Sequence, residues 1–168
     1  MADYNKNYIK YFRNIITKED AKYFVDKFQN EPTMNDPQVD GSLINRQVSF
    51  GNEIFDKCIE RINSELDTKF VYLGCWIRKY VKGNKLTRHS DNAFKNGYVL
   101  SLNLGKSDNI ENILYVYEED KTHEVILDIG DSFFFPGTIL EHEREEIKSD
   151  YFYSCYLAFK EQKSLSLI

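Results

Sequence analysis

Two histidines and an aspartate are the residues of this chain best suited to chemistry that side chains cannot do alone. His89-Ser90-Asp91 sets an imidazole and a carboxylate two residues apart. On an extended segment positions i and i+2 project to the same side, so one cation can take both. His142 follows Gly130-Asp131-Ser132-Phe133-Phe134-Phe135-Pro136-Gly137, an apolar run ending in a turn, which brings a second imidazole out beside a buried strand. Two imidazoles and one carboxylate cover one face of an octahedral iron(II) and leave three adjacent positions for a chelating molecule and dioxygen. A closed structural zinc site takes four ligands. His-x-Asp by itself arises readily on ordinary loops, so the reading of His89, Asp91 and His142 as metal ligands rests on the third residue. His123, among Asp120, Lys121, Thr122 and Glu124, reads as a surface residue.

The elements that must position this set follow from periodicity. Thr17-Lys18-Glu19-Asp20 has the form of a helix cap, the hydroxyl and the acid three residues on serving reciprocal backbone donors. A helix over 18–29 follows, with Ala21, Phe24, Val25 and Phe28 as its apolar stripe. Residues 31–42 hold Pro32, Pro37 and Gly41 among Asn, Asp and Ser and read as a loop, either a plain connector or a cover for a substrate. A short strand near 43–50 leads into a second helix over 52–66, whose Ile54, Phe55, Cys58, Ile59, Ile62 and Leu66 share a face. From Lys69 onward the period becomes two, predicting antiparallel strands at 69–82, 97–104, 113–118, 123–129, 131–136 and 151–159. Helices first and strands second make one α+β unit, with the chemistry in its β half.

Composition sets the outer limits. The 168 residues suffice for one domain with a real core. The 12 Tyr and 12 Phe favour β structure and supply walls for a pocket. Acidic residues outnumber basic ones by 27 to 22, so there is no large cationic field for nucleic acid phosphates. No segment approaches the roughly 20 apolar residues that span a bilayer, and the start Met1-Ala2-Asp3-Tyr4-Asn5-Lys6 has no apolar signal region. These features point to a cytoplasmic protein without a membrane partner. Cys58, Cys75 and Cys155 match no disulfide framework and no zinc-ligand pair, and read as buried reduced thiols.

The segment Tyr80-Val81-Lys82-Gly83-Asn84-Lys85-Leu86-Thr87-Arg88-His89-Ser90-Asp91-Asn92 resembles the Tyr-x-x-Gly…His-x-Asp strand of 2-oxoglutarate-dependent prolyl hydroxylases. Leu100-Ser101-Leu102-Asn103 is similar to that family's apolar strand ending in Leu-Asn, and Gly130-Asp131…Phe134-Phe135…His142 to its Gly…Phe…His segment. The resemblance covers roughly residues 70–159. It implies a double-stranded β-helix, a jelly-roll or cupin-like core over 69–160, with 1–68 as helical support and loop, the whole of 1–168 forming a single dioxygenase domain. It also implies Fe(II), with 2-oxoglutarate and O2 as co-substrates and ascorbate as a reductant. The reaction would be oxidative decarboxylation of 2-oxoglutarate to succinate coupled to hydroxylation of a C–H bond. The substrate would be a prolyl or other residue of a peptide or protein, or a free amino acid. Tyr80 and Asn103 would contact the co-substrate.

One landmark departs from the family. A basic residue nine to twelve positions after the second histidine normally meets the far carboxylate of 2-oxoglutarate, and here that window is Tyr151-Phe152-Tyr153-Ser154. Arg144 is the first substitute, since its i+2 spacing from His142 puts it on the metal side of an extended backbone and its planar fork matches a carboxylate. Alternatively it pairs with Glu141, Glu145 or Glu146 on a solvated turn. Arg78 is the second, expected by alternation to share a face with Phe70, Tyr72, Trp76 and Tyr80. Without such an anchor the chain would be a non-catalytic metal-binding β-helix module or a cupin-type metal-dependent isomerase. The loops 31–42 and 92–97 are where a substrate would be chosen.

Overall fold

The computed structural model of the protein describes residues 4–92 and 95–162, so Ala93 and Phe94 of the 92–97 loop lie outside the described residues. After one turn of 3-10 helix at Lys6–Tyr8, the elements run β1 (Lys10–Phe12), α1 (Lys18–Phe28), β2 (Met34–Asn35), β3 (Leu43–Asn45) and α2 (Gly51–Leu66). The β half follows as β4 (Phe70–Val81), β5 (Leu86–His89), β6 (Tyr98–Lys106), β7 (Leu114–Tyr117), β8 (Thr122–Val125), β9 (Ser132–Phe135), β10 (His142–Arg144) and β11 (Tyr151–Glu161). They form two antiparallel sheets, one in the order β1-β9-β6-β11-β4-β3-β2 and the other β5-β10-β7-β8. This is the expected mostly antiparallel β-helix with two supporting helices.

Both helices lie against the outer face of the larger sheet. Thr17 caps α1 by accepting from the Asp20 N–H at 3.0 Å, while the Asp20 carboxylate goes to Lys57 rather than back to the cap. Ala21, Phe24 and Phe28 of α1 and Ile54, Cys58, Ile62 and Leu66 of α2 are buried. They join Leu100, Leu102, Leu104, Cys155 and Leu157 in one core. α2 ends on Asp67 in the left-handed region, its N–H returning to Asn63 O. A second core between the sheets holds Val99, Leu114, Val116, Phe133, Phe135 and Tyr156. Alternation along β6 therefore sends Leu100 and Leu102 to the helices and Val99 towards the smaller sheet. The three cysteines are free and buried, as expected, with the Cys75 and Cys155 sulfurs 3.6 Å apart.

Two irregularities change what alternation predicts. A register shift opposite Ala158/Phe159 breaks the pattern of β4, so Phe70 and Tyr72 pack with the helix-side core and do not share the face of Trp76. A second shift lets His142 pair with His89 but Arg144 with Leu86, three residues back, so Thr87 and Arg88 together face one residue of β10. Leu86 and His89 thereby both turn inward, while Arg88 lies over the Tyr117 ring at 3.9 Å and pairs with Glu141. The 31–42 loop is no plain connector, since it carries β2, buries Val39 and sends Asp36 into the interior. No helix among the described residues is long and apolar enough to cross a membrane.

Candidate metal centre

β5 and β10 place the two histidines directly opposite each other, with ring centroids 4.5 Å apart. His89 Nδ1 lies 2.8 Å from Thr87 O, and His142 Nδ1 lies 3.1 Å from Leu140 O. As donors to these carbonyls the Nδ1 atoms carry the ring protons, which leaves each Nε2 with a free lone pair. Both Nε2 atoms face Asp91 Oδ1, at 3.6 and 3.7 Å. One ligand atom from each of the three residues lies within 4.8 Å of the others. Hydrogen bonding to Asp91 holds His89 above its ordinary pKa, whereas burial pushes His142 below its own.

Asp91 is held from the far side. Its N–H donates to Gly137 O at 2.9 Å, and a Cβ at Gly137 would stand 2.5 Å from Asp91 Oδ2. Gly137 thus makes room for the carboxylate. Among the described residues Oδ2 is buried and without a hydrogen-bond partner, a state that costs free energy unless something else satisfies it. Two imidazole lone pairs converging on Oδ1 of a carboxylate whose other oxygen is left over fit a divalent cation bound on one face only.

Behind His142 lies Arg144, which is 1% exposed. Its guanidinium donates to Asn112 O at 3.1 Å and reaches Ser101 Oγ at 3.5 Å, while Nε has no partner. Its planar end stacks over Phe152 at 4.8 Å and Tyr80 at 5.7 Å. The alternative of a solvated ion pair with Glu141, Glu145 or Glu146 is overturned, because Arg144 is buried, Glu141 pairs with Arg88, Glu145 pairs with Lys148 and Glu146 is exposed. No carboxylate faces Arg144 among the described residues, so its charge is buried without a counter-ion. Phe152, in the window where a cation was expected, supplies a ring face for Arg144 instead.

Arg78 is also buried but already matched, in a short ion pair with Asp36 and in hydrogen bonds to Gln38 Oε1 at 2.9 Å and Tyr80 Oη at 3.1 Å. Tyr80 meets Tyr156 hydroxyl to hydroxyl at 3.1 Å. Burial, then Tyr156, push Tyr80 above the phenol range against the pull of Arg78 and Arg144, so it stays neutral. Tyr156 is equally buried, yet Arg144 and Arg78 together hold it below that range. Asn103 is not brought to the site. Its side-chain N–H donates to Leu127 O and its side-chain oxygen accepts from the Gly105 N–H, so it braces β6. His123 is no lone surface residue either, since it binds Glu118 at 2.7 Å, which also accepts from Tyr4.

A cavity of about 820 Å³ opens over the three converging groups, walled by Trp76, Arg78, His89, Asp91, His142 and Tyr156 among others. Sequence reasoning missed Asp36, Gly137 and the far wall at Arg46 and Gln47. No short-range signal marks Asp36 or Gly137, because their roles come from contacts with Arg78 and Asp91, distant in sequence.

No protein-family model matches the sequence, and no curated protein matches it. Solved structures do match in fold. A 2OG-Fe(II) oxygenase family oxidoreductase from Burkholderia pseudomallei superposes with a TM-score of 0.74 at 10% identity, over 92% of this chain and 85% of that one. A Trichoplax adhaerens prolyl hydroxylase in complex with a hypoxia inducible factor peptide gives 0.70 at 15% identity, over 92% and 84%. HygX from Streptomyces hygroscopicus, with nickel and 2-oxoglutarate bound, gives 0.71 at 9%, over 90% and 82%. The fold is that of the 2OG-Fe(II) oxygenases.

Proposed function

We propose that this chain is an Fe(II)- and 2-oxoglutarate-dependent dioxygenase that hydroxylates a C–H bond, with His89, Asp91 and His142 as the metal ligands. The observation that carries this reading is the buried guanidinium of Arg144 without a counter-ion, two residues along β10 from His142. A charge buried without a partner costs several kcal/mol, so a protein that keeps one has a use for it. A diacid held at the metal would meet Arg144 with its far carboxylate through two parallel hydrogen bonds. A module that bound metal alone would gain nothing from that residue. The fold shared with oxygenases, one of which binds nickel and 2-oxoglutarate, supports the same reading.

Bound iron(II) would supply the activation of dioxygen, and the chain does the rest. Thr87 O and Leu140 O fix the imidazole tautomers, and Gly137 holds the Asp91 backbone. The neighbouring rings of Tyr80 and Phe152 both lie against the Arg144 guanidinium and help to hold it in place. The buried apolar group of Val39, Leu86, Ile147 and Phe152 keeps water from that end of the site. The Asp36–Arg78 pair ties the 31–42 loop to the cavity wall, where it would bound the substrate. The substrate would be a residue of a peptide or a small acid of similar size. Calorimetric titration with Mn(II) in place of iron tests the assignment. His89→Ala, Asp91→Ala and His142→Ala should each abolish metal uptake, and Arg144→Gln should keep metal while weakening 2-oxoglutarate. Metal uptake that survives all three alanine variants would refute it.

A further inference from the structure

Besides Arg78, the cavity wall carries the guanidinium of Arg46, which the metal chemistry does not use. Of the six arginines in the chain, four hold carboxylates: Arg13 with Asp131, Arg61 with Glu65, Arg78 with Asp36 and Arg88 with Glu141. The two without one are Arg144 behind the metal centre and Arg46 in the cavity wall. Arg46 has no ion pair or hydrogen bond to its guanidinium among the described residues, and the neighbouring Gln47 side-chain amide has no hydrogen bond either. Asp91 is the only acid among the described lining residues, so nothing else in the wall would welcome a cation.

The wall that carries Arg46 also carries Gly74. Gly74 sits inside β4, and a Cβ placed there would meet nothing within 4 Å. Gly74 stands at the β4 bulge, and with no side chain there the backbone is open to a ligand from the cavity. Beside it Trp76 stacks on Tyr156, centroids 5.6 Å apart and planes inclined by 17°, offering a flat apolar surface at the cavity wall.

From these features, and resting on the oxygenase reading above, we infer that the substrate is a small carboxylic acid without a free ammonium group. Its ring or acyl body lies on Gly74 and Trp76, and its carboxylate pairs with Arg46 and the Gln47 amide. Arg144 takes the far acid of the co-substrate and Arg46 the acid of the substrate, so the two vacant guanidiniums receive two different anions.

The test is calorimetric titration of the Mn(II)- and 2-oxoglutarate-loaded protein with phenylacetate, N-acetyl-proline and N-acetyl-phenylalanine. Each is compared with its neutral carboxamide and, for the amino acids, with the unacetylated form. At least one acid should bind about 10- to 100-fold more tightly than its carboxamide, the difference expected of a charge-assisted contact. Arg46→Gln, a change at an exposed side chain, should erase that difference, and Gly74→Val should weaken acid and carboxamide alike. Binding of none of the acids, equal binding of acid and carboxamide, tighter binding of the free amino acids, or a preference that survives Arg46→Gln would each overturn the inference while leaving the oxygenase reading intact. Failure of the wild-type protein to take up metal and 2-oxoglutarate would overturn both.

Discussion

Gly137→Ala is the smallest change that should disable the metal centre. The added methyl would stand 2.5 Å from Asp91 Oδ2 and 2.9 Å from Val99 Cγ2. Ordinary contact begins near 3.4 Å, so the carboxylate oxygen must retreat by about 0.9 Å, the difference between 3.4 and 2.5. Gly137 itself cannot back away cheaply, because its carbonyl holds the Asp91 N–H. The backbone at Gly137 is outside the left-handed region, so the penalty is steric and not conformational. Overpacking of this kind costs about 1–3 kcal/mol. Metal–ligand distances, by contrast, tolerate only about 0.2 Å. A displacement several times larger should lower metal affinity at least as far as loss of an outer-shell partner does, roughly 10- to 100-fold. Calorimetric Mn(II) titration beside a thermal melt of the metal-free protein separates the two effects. Gly74→Ala is the control, since its methyl meets nothing within 4 Å and the residue has an ordinary backbone conformation. Wild-type metal affinity in a folded Gly137→Ala protein would refute the role given to Asp91.

Three further outcomes follow from the buried ionisable groups. Arg144→Met should leave the melting temperature of the ligand-free protein unchanged or raised, because a buried unpaired charge is replaced by an apolar side chain of similar volume. The same variant should bind 2-oxoglutarate roughly 10- to 100-fold more weakly, and a large loss of stability instead would mean that Arg144 is a structural residue. Asp36→Asn should act in the opposite sense, removing one partner of a buried pair at a cost of roughly 3–5 kcal/mol, or on the order of 10 °C in Tm, read by differential scanning calorimetry. Burial, with smaller contributions from Cys75 and Asp20, pushes the Cys58 thiol from its usual 9.0 up to about 12. The folded state therefore keeps the proton that the unfolded state releases, so this contribution to stability is complete below pH 9 and is lost as pH rises towards 12. Urea midpoints measured across that range should fall less steeply in Cys58→Ala.

Much of the site was legible because its residues are close in sequence or fixed by period. The Thr17 cap, the α1 and α2 stripes and the long strands β4, β6 and β11 follow from local chemistry and alternation. His89 and Asp91 share a side of an extended segment, and His142 is anchored by the apolar β9 before it. The short strands β1, β2, β5 and β10 were not legible, since two to four residues carry no period and exist through pairing with neighbours. For the same reason the backbone around Arg144 read either as extended or as a solvated turn, and it is a strand of the smaller sheet in which His142 and Arg144 are both buried. The face of β4 was misassigned at Phe70 and Tyr72 by a bulge at Leu73, of which Gly74 beside it is the one local signal. Asn103 matched a family landmark by type and position, yet its side chain is spent on Leu127 and Gly105. The tie between Asp36 and Arg78 spans 42 residues, and only the folded chain brings the two together.

The central claim is that His89, Asp91, His142 and Arg144 together hold a metal and a chelating diacid. Anaerobic titration of the protein with Fe(II), followed by 2-oxoglutarate, tests it most directly. A visible charge-transfer absorption should appear on adding 2-oxoglutarate and should require both the metal and Arg144, and admission of oxygen should then yield succinate. No absorption and no succinate from a folded, iron-loaded protein would contradict the account.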